Sequence, residues 1–76
     1  MNWHEHIISD PKILLGKPTI KGTRISVEVI LELFSKGWTE SQILESYPTI
    51  SRDSIRAVFA YLQACIQQEL YFPISA

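Results

Sequence analysis

Three hydroxyl residues, Ser26, Thr39 and Ser51, each stand immediately before a run of helix-forming residues, and they constrain the chain more than any other feature. A side-chain oxygen at such a position accepts a hydrogen bond from an amide left unpaired in the first turn, so each marks where a helix begins. After Ser26, the residues Val27, Val29, Ile30, Leu31, Leu33 and Phe34 leave polar positions only at Glu28, Glu32 and Ser35-Lys36. That pattern predicts a helix over 26–36 that is covered on most sides. Gly37 ends it, because a left-handed residue is needed there and glycine adopts that conformation without a side-chain clash. Thr39 and Gln42 have the spacing of a reciprocal cap and open a shorter helix over 39–46, with Ile43 and Leu44 inward and Tyr47-Pro48 as its stop. From Ser51 onward Ile55, Val58, Phe59, Leu62, Ile66 and Leu70 recur at helical spacing, which predicts a third helix over 51–69 before Pro73.

Upstream of Ser26 the pattern is different. Over 8–25 the chain reads as extended structure, with Ile7-Ile8-Ser9, Thr19-Ile20 and Arg24-Ile25 as short strands. Asp10-Pro11, Gly16 and Lys21-Gly22 are the turns between them. The expected fold is therefore mainly α: one domain over 1–76, a homeodomain-like three-helix unit of the helix-turn-helix kind behind a short β segment. A chain of 76 residues buries only about 60% of its unfolded surface, so its core is thin and a partner or second copy would help it. It has no long uncharged apolar run, and its apolar content is too high for disorder. Residues 1–8 lack the cationic start and apolar middle of a signal peptide, so a cytoplasmic location is expected. The single Cys65 falls on the inner side of the third helix and reads as a packing residue.

Charge supplies the first functional clue. Lys12, Lys17, Lys21 and Arg24 follow one another with no carboxylate between Asp10 and Glu28, so a chain of net charge -1 has one locally positive region. The order of helix, short helix, four-residue turn Tyr47-Pro48-Thr49-Ile50 and capped helix is that of a helix-turn-helix, whose later helix enters the major groove by its N-terminal turn. On that reading Lys17, Lys21, Arg24, Arg52 and Arg56 would meet phosphates, while Ser51 and Ser54 would approach base edges. Arg24 has a second role open to it, a pair with Glu28 four residues on. The competing class is a protein-interaction module in which the three helices are only scaffold, and the net charge favours it.

Asp10-Pro11, Gly16-Lys17-Pro18-Thr19-Ile20, Gly22-Thr23-Arg24-Ile25, Val27, Gly37, Ile43-Leu44, Tyr47-Pro48 and Ile55 together resemble the small prokaryotic family known as domain of unknown function 433. The resemblance runs from Ile8 to about Leu62. It implies a homeodomain-like helix-turn-helix preceded by strands, and an antitoxin encoded beside a toxin of the PIN-like ribonuclease kind; joined to the DNA-binding reading above, the expected function is an antitoxin that represses its own promoter.

The third helix carries a second apolar stripe. Ala57, Ala60 and Ala64, with Tyr61 beside them, fall away from the face centred on Ile55. Small residues so spaced permit close helix approach, and with Leu70, Tyr71, Phe72 and Ile74 they form a candidate homodimer or toxin contact. Alanine also favours helix on its own account, which is the plainer explanation. His4-Glu5-His6 is an incomplete ligand set for a metal and reads as a frayed terminus. Trp38 reads as cover for the junction of the first two helices rather than a base-stacking platform. Gly16-Lys17 and Lys21-Gly22-Thr23 lack the spacing of a nucleotide-binding loop. With no nucleophile, base and orienting acid in a recognisable set, neither an enzyme nor a cofactor is expected.

Overall fold

In the computed structural model, which describes residues 1–68, each of the three caps forms. The Val29 amide donates to Ser26 Oγ at 3.0 Å and opens α1 (Val27–Ser35). Gly37, at φ +91°, closes it: the Gly37 amide donates to the Phe34 carbonyl at 3.0 Å and the Trp38 amide to that of Leu33 at 3.1 Å. This crossed pair is the left-handed ending that glycine makes inexpensive. Thr39 and Gln42 exchange side-chain-to-backbone bonds of 2.8 and 3.2 Å at the start of α2 (Glu40–Ser46). The third helix, α3, runs Arg52–Gln67 behind Ser51; Glu69 and the apolar residues Leu70, Tyr71, Phe72 and Ile74 lie outside the described residues.

Two of the three expected strands form. β1 (Ile7–Ile8) and β2 (Thr19–Ile20) pair antiparallel with Ile7 opposite Ile20 and Ile8 opposite Thr19. Arg24-Ile25 is not a strand of its own. After Ile20 the chain reverses through Lys21 and Gly22, with Gly22 at φ +81°, the Thr23 amide donating to the Ile20 carbonyl at 3.0 Å and the Ile20 amide to that of Ile25 at 2.9 Å. Only a single bridge, Thr19 to Ser26, extends the pairing before the chain enters α1. The Ile25 amide is taken by the Thr23 hydroxyl at 3.0 Å and α1 begins at Val27, which leaves no length for a third strand.

The core is built from both halves of the chain. Ile7 and Ile20 of the strands join Val27 and Ile30 of α1, Ile43 of α2, Ile50 of the following turn and Ile55, Ala57 and Val58 of α3. Thr19 is also fully buried, its hydroxyl directed at the Ile8 carbonyl at 3.4 Å.

Two expectations about α3 are overturned. The stripe Ala57, Ala60, Tyr61 and Ala64, expected to face a partner, is covered by this chain's own N-terminal segment. Ala57 is 0% exposed and the other three are half-buried. The residues before β1 are not frayed: Asn2 caps a 3₁₀ turn, Trp3–Glu5, which packs with β1 along α3. Trp3 stands edge-on to Tyr61 at 5.0 Å between ring centres and stacks on His4 at 3.7 Å. Small side chains on α3 allow that close approach, so the alanines serve packing within one chain. Conversely, Phe59 and Ile66, expected in the core, are 46% and 61% exposed. Successive helical residues are set about 100° apart, so Phe59 cannot share the buried direction of Val58 once that direction turns toward the N-terminal segment.

The expected turns at Asp10-Pro11 and Gly16 form, and the left-handed leucines between them are what the sequence did not indicate. Asp10 accepts the Lys12 amide through its side chain at 2.9 Å and the Ile13 amide through its carbonyl at 2.8 Å, and the chain then passes through Leu14, Leu15 and Gly16 at φ +50°, +58° and +84°. A left-handed conformation suits Gly16 but costs roughly 1–2 kcal/mol at a leucine, and Leu15 is 94% exposed.

Truncating Ile30, which is 0% exposed, to alanine should lower unfolding free energy by about 2–5 kcal/mol in urea. The Tyr61 hydroxyl is held above its usual value, first by burial and then by a hydrogen bond with Cys65 and the proximity of that thiol. The native phenol therefore keeps its proton at a pH where the unfolded one, near pH 10, has lost it. Stability should be fully present below that pH and fall as pH rises toward the native value; Tyr61→Phe should make the alkaline decline shallower by about one proton in a urea series.

Candidate nucleic-acid interface

The turn between α2 and α3 is anchored from inside. The Tyr47 amide donates to the Ile43 carbonyl at 2.9 Å and the Ile50 amide to that of Tyr47 at 3.1 Å, and Ile50 itself is buried. This delivers Ser51 to the start of α3, where it and Ser54 form a closed cap. The Ser54 amide donates to Ser51 Oγ at 3.1 Å, the Ser51 amide to Ser54 Oγ at 3.2 Å, and the two hydroxyls lie 3.1 Å apart. Ser54 is only 7% exposed. Both hydroxyls accept amides of the first turn of the helix, and Ser54 is buried, so Ser54 is not presented to a base edge while Ser51 is exposed.

The arginines fare differently. Arg52 and Arg56 are exposed one turn apart, and they line a shallow groove with Phe34, Glu40, Ile55 and Phe59. The rings of Phe34 and Phe59 meet at 5.4 Å, tilted by 57°, so the floor of the groove is aromatic. Phe59 was missed as a surface residue because periodicity places any apolar residue near a core face, whereas Phe34 is half-buried against the core as expected. Residue order carried no signal for this, since the adjacent pairs Ser54-Ile55 and Ala57-Val58 of the same helix are both buried.

Lys21 and Arg24 are exposed on the reversal between β2 and α1, and neither lines the groove that holds Arg52 and Arg56. Lys17 does not stand free: its Nζ lies 3.4 Å from Glu28 Oε2. Glu28 thus pairs with Lys17 rather than with Arg24, because the reversal after β2 brings the start of α1 back along the chain, where the Val27 amide donates to the Pro18 carbonyl at 2.9 Å. Among the described residues only this pair and Lys36 with Glu32, at 3.1 Å, are ion pairs, and both are solvent-exposed, where such contacts contribute little. Of the positive region of the sequence, Lys12, Lys21 and Arg24 are exposed and outside these ion pairs, while Arg52 and Arg56 stand on a separate element, α3. No three His, Cys, Asp or Glu side chains gather as a metal site among the described residues, and no described helix is long and apolar enough to cross a membrane.

Residues 7–62 match the family described as "Protein of unknown function (DUF433)". An uncharacterized protein of Sinorhizobium fredii, y4eO, is 32% identical over 60 residues, 79% of this chain and 27% of that protein. The crystal structure of a DUF433 member protein from Anabaena variabilis superposes with a TM-score of 0.74 at 24% identity, covering 82% of this chain and 61% of that one. The superposition shows the shared fold. The chain spans just over a quarter of the length of the Sinorhizobium protein and less than two thirds of the Anabaena one.

If the Ser51 and Ser54 hydroxyls are caps, Ser51→Ala and Ser54→Ala should each lower the urea stability by about 1 kcal/mol, and the double variant should lose less than their sum because the bonds are shared. Side chains free to read bases would leave the urea midpoint unmoved.

Proposed function

We propose, for a chain that belongs to the DUF433 family, that α3 is the recognition helix of a DNA-binding helix-turn-helix, and that the protein is an autorepressing antitoxin component. The observation that carries this reading is the placement of Arg52 and Arg56, exposed on one face of the first two turns of a 16-residue helix that follows a short capped α2. An arginine fork presents paired donors to guanine in the major groove or to a phosphate. Gln63, exposed further along the same helix, suits adenine, and the ring of Phe59 suits a thymine methyl group. Lys21 and Arg24 would take backbone phosphates, while Lys17 is paired with Glu28. One such module makes few contacts, so two half-sites read by two copies is the natural form. The reading assigns the chain no catalytic step and no cofactor.

A second reading rests on the same groove. Aromatic and arginine side chains are the residues that dominate protein interfaces, and the Phe34–Phe59 pair between Arg52, Arg56 and Glu40 has that composition. A toxin of the PIN-like ribonuclease kind would be held there without DNA, in keeping with the net charge of -1.

The test is fluorescence anisotropy with a labelled duplex of the protein's own upstream region against a scrambled duplex of equal length, at low and moderate salt. Preference for the upstream duplex is expected. Arg52→Ala and Arg56→Ala should each weaken it by about 1–3 kcal/mol where the side chain meets a base, or reduce the salt slope by about one where it meets a phosphate. Binding to neither duplex at low salt would overturn the DNA reading.

A further inference from the structure

A different groove runs along the outer side of α1. Leu14 and Leu15 face Val29 across it, with Lys17, Glu28 and Glu32 at its rim. Beyond the Lys17–Glu28 pair it continues into a smaller concavity floored by Pro18, Val27 and Leu31. None of these residues lines the groove that holds Arg52 and Arg56, and the function proposed above makes no use of the Leu14–Leu15 turn.

Leu15 is unfavourable where it stands for two separate reasons. Its backbone is left-handed at φ +58°, next to Leu14 at +50°, and its side chain is 94% exposed to water. A glycine would remove the strain and the exposed apolar surface together. The left-handed turn does one thing a relaxed turn would not: it holds the leucine clear of its own fold, beside an apolar groove that its own chain leaves unfilled. Covering Leu15 returns the solvation penalty and gives the strained backbone a use.

We propose that this surface joins two copies of the chain about a two-fold axis, each placing Leu15 against Val29 of the other. A two-fold contact requires one patch to carry both halves of every interaction. This patch carries the projecting leucine and the groove, and it also carries one cation, Lys17, and two acids, Glu28 and Glu32. With Lys17 of each copy meeting Glu32 of the other, the rim closes on two opposite-charge pairs. The pairs that Lys17 and Glu32 make within one chain are exposed and exchange at little cost. A partner carrying charge of one sign would instead set part of that rim against its like. The thin core of a chain this size adds to the benefit of burying the patch.

Sedimentation equilibrium of the whole chain, without DNA, tests this independently of the proposed function. The parent should self-associate. Leu15→Gly relaxes the turn, so its urea midpoint should hold or rise while its dimer dissociation constant rises at least about tenfold. Lys17→Glu and Glu32→Lys should each weaken self-association, because each sets like charges opposite one another at both ends of the contact. An equal mixture of those two variants should recover dimers, since in the mixed pair both contacts again join opposite charges. A parent that stays monomeric to about millimolar concentration, a dimer indifferent to Leu15→Gly, or a mixture no tighter than its components would overturn the proposal.

Discussion

The closure of the N-terminal segment over α3 is the contact on which the rest of this structure depends. Trp3 against Tyr61, Ile7 in the core and the fully buried Ala57 tie the chain's two distant parts into one unit. Without that closure the three helices would bury their apolar residues on one side of α3 only. With it α3 is covered over a broad arc, and the pairing of β1 with β2 carries the covering segment back to the entrance of α1. In so small a domain each large side chain is a substantial part of the core, so a single aromatic contact of this kind weighs heavily.

The same closure decides what α3 offers to other molecules. Turning the buried arc toward the N-terminal segment hides the alanine stripe and turns Phe59 and Ile66 outward, on the side of Arg52 and Arg56. The exposed face is thereby both aromatic and cationic. Its polarity is sharpened by the cap, because the hydroxyls of Ser51 and Ser54 are consumed by the helix's own amides and leave recognition to the longer side chains. Lys17 is drawn in the opposite sense: the reversal after β2 brings Glu28 back beside it and takes it out of the cationic region that the linear order suggests.

The turn at Leu14–Gly16 shows a different balance. Hydrogen bonds from Lys12 and Ile13 to Asp10 hold the approach to it, and the left-handed backbone that follows presents leucine rather than concealing it. Strain is tolerated there because the bonds on either side over-determine the path of the chain. The apolar surface so displayed lies beside α1, while the arginines lie on α3, so the two grooves leave room for two separate contacts.

What could be read from residue order alone was everything governed by neighbours within a turn or so: the helix starts at Ser26, Thr39 and Ser51, the ending at Gly37, the reversal at Gly22 and the strands Ile7–Ile8 and Thr19–Ile20. The helix starts, the ending and the reversal depend on hydrogen bonds spanning a few residues and on one backbone angle, while the strands were legible as apolar and β-branched runs bounded by turn residues, although their pairing joins distant parts of the chain. The run Gly16 to Ile25 likewise carried enough of the family's pattern to identify it. The side of α3 that is buried, the partner of Glu28, the fate of the Ser54 hydroxyl and the exposure of Leu15 were decided by tertiary structure. Each depends on a residue brought from elsewhere in the chain or on the local direction of burial, and helical periodicity reports that an apolar face exists without saying what will cover it.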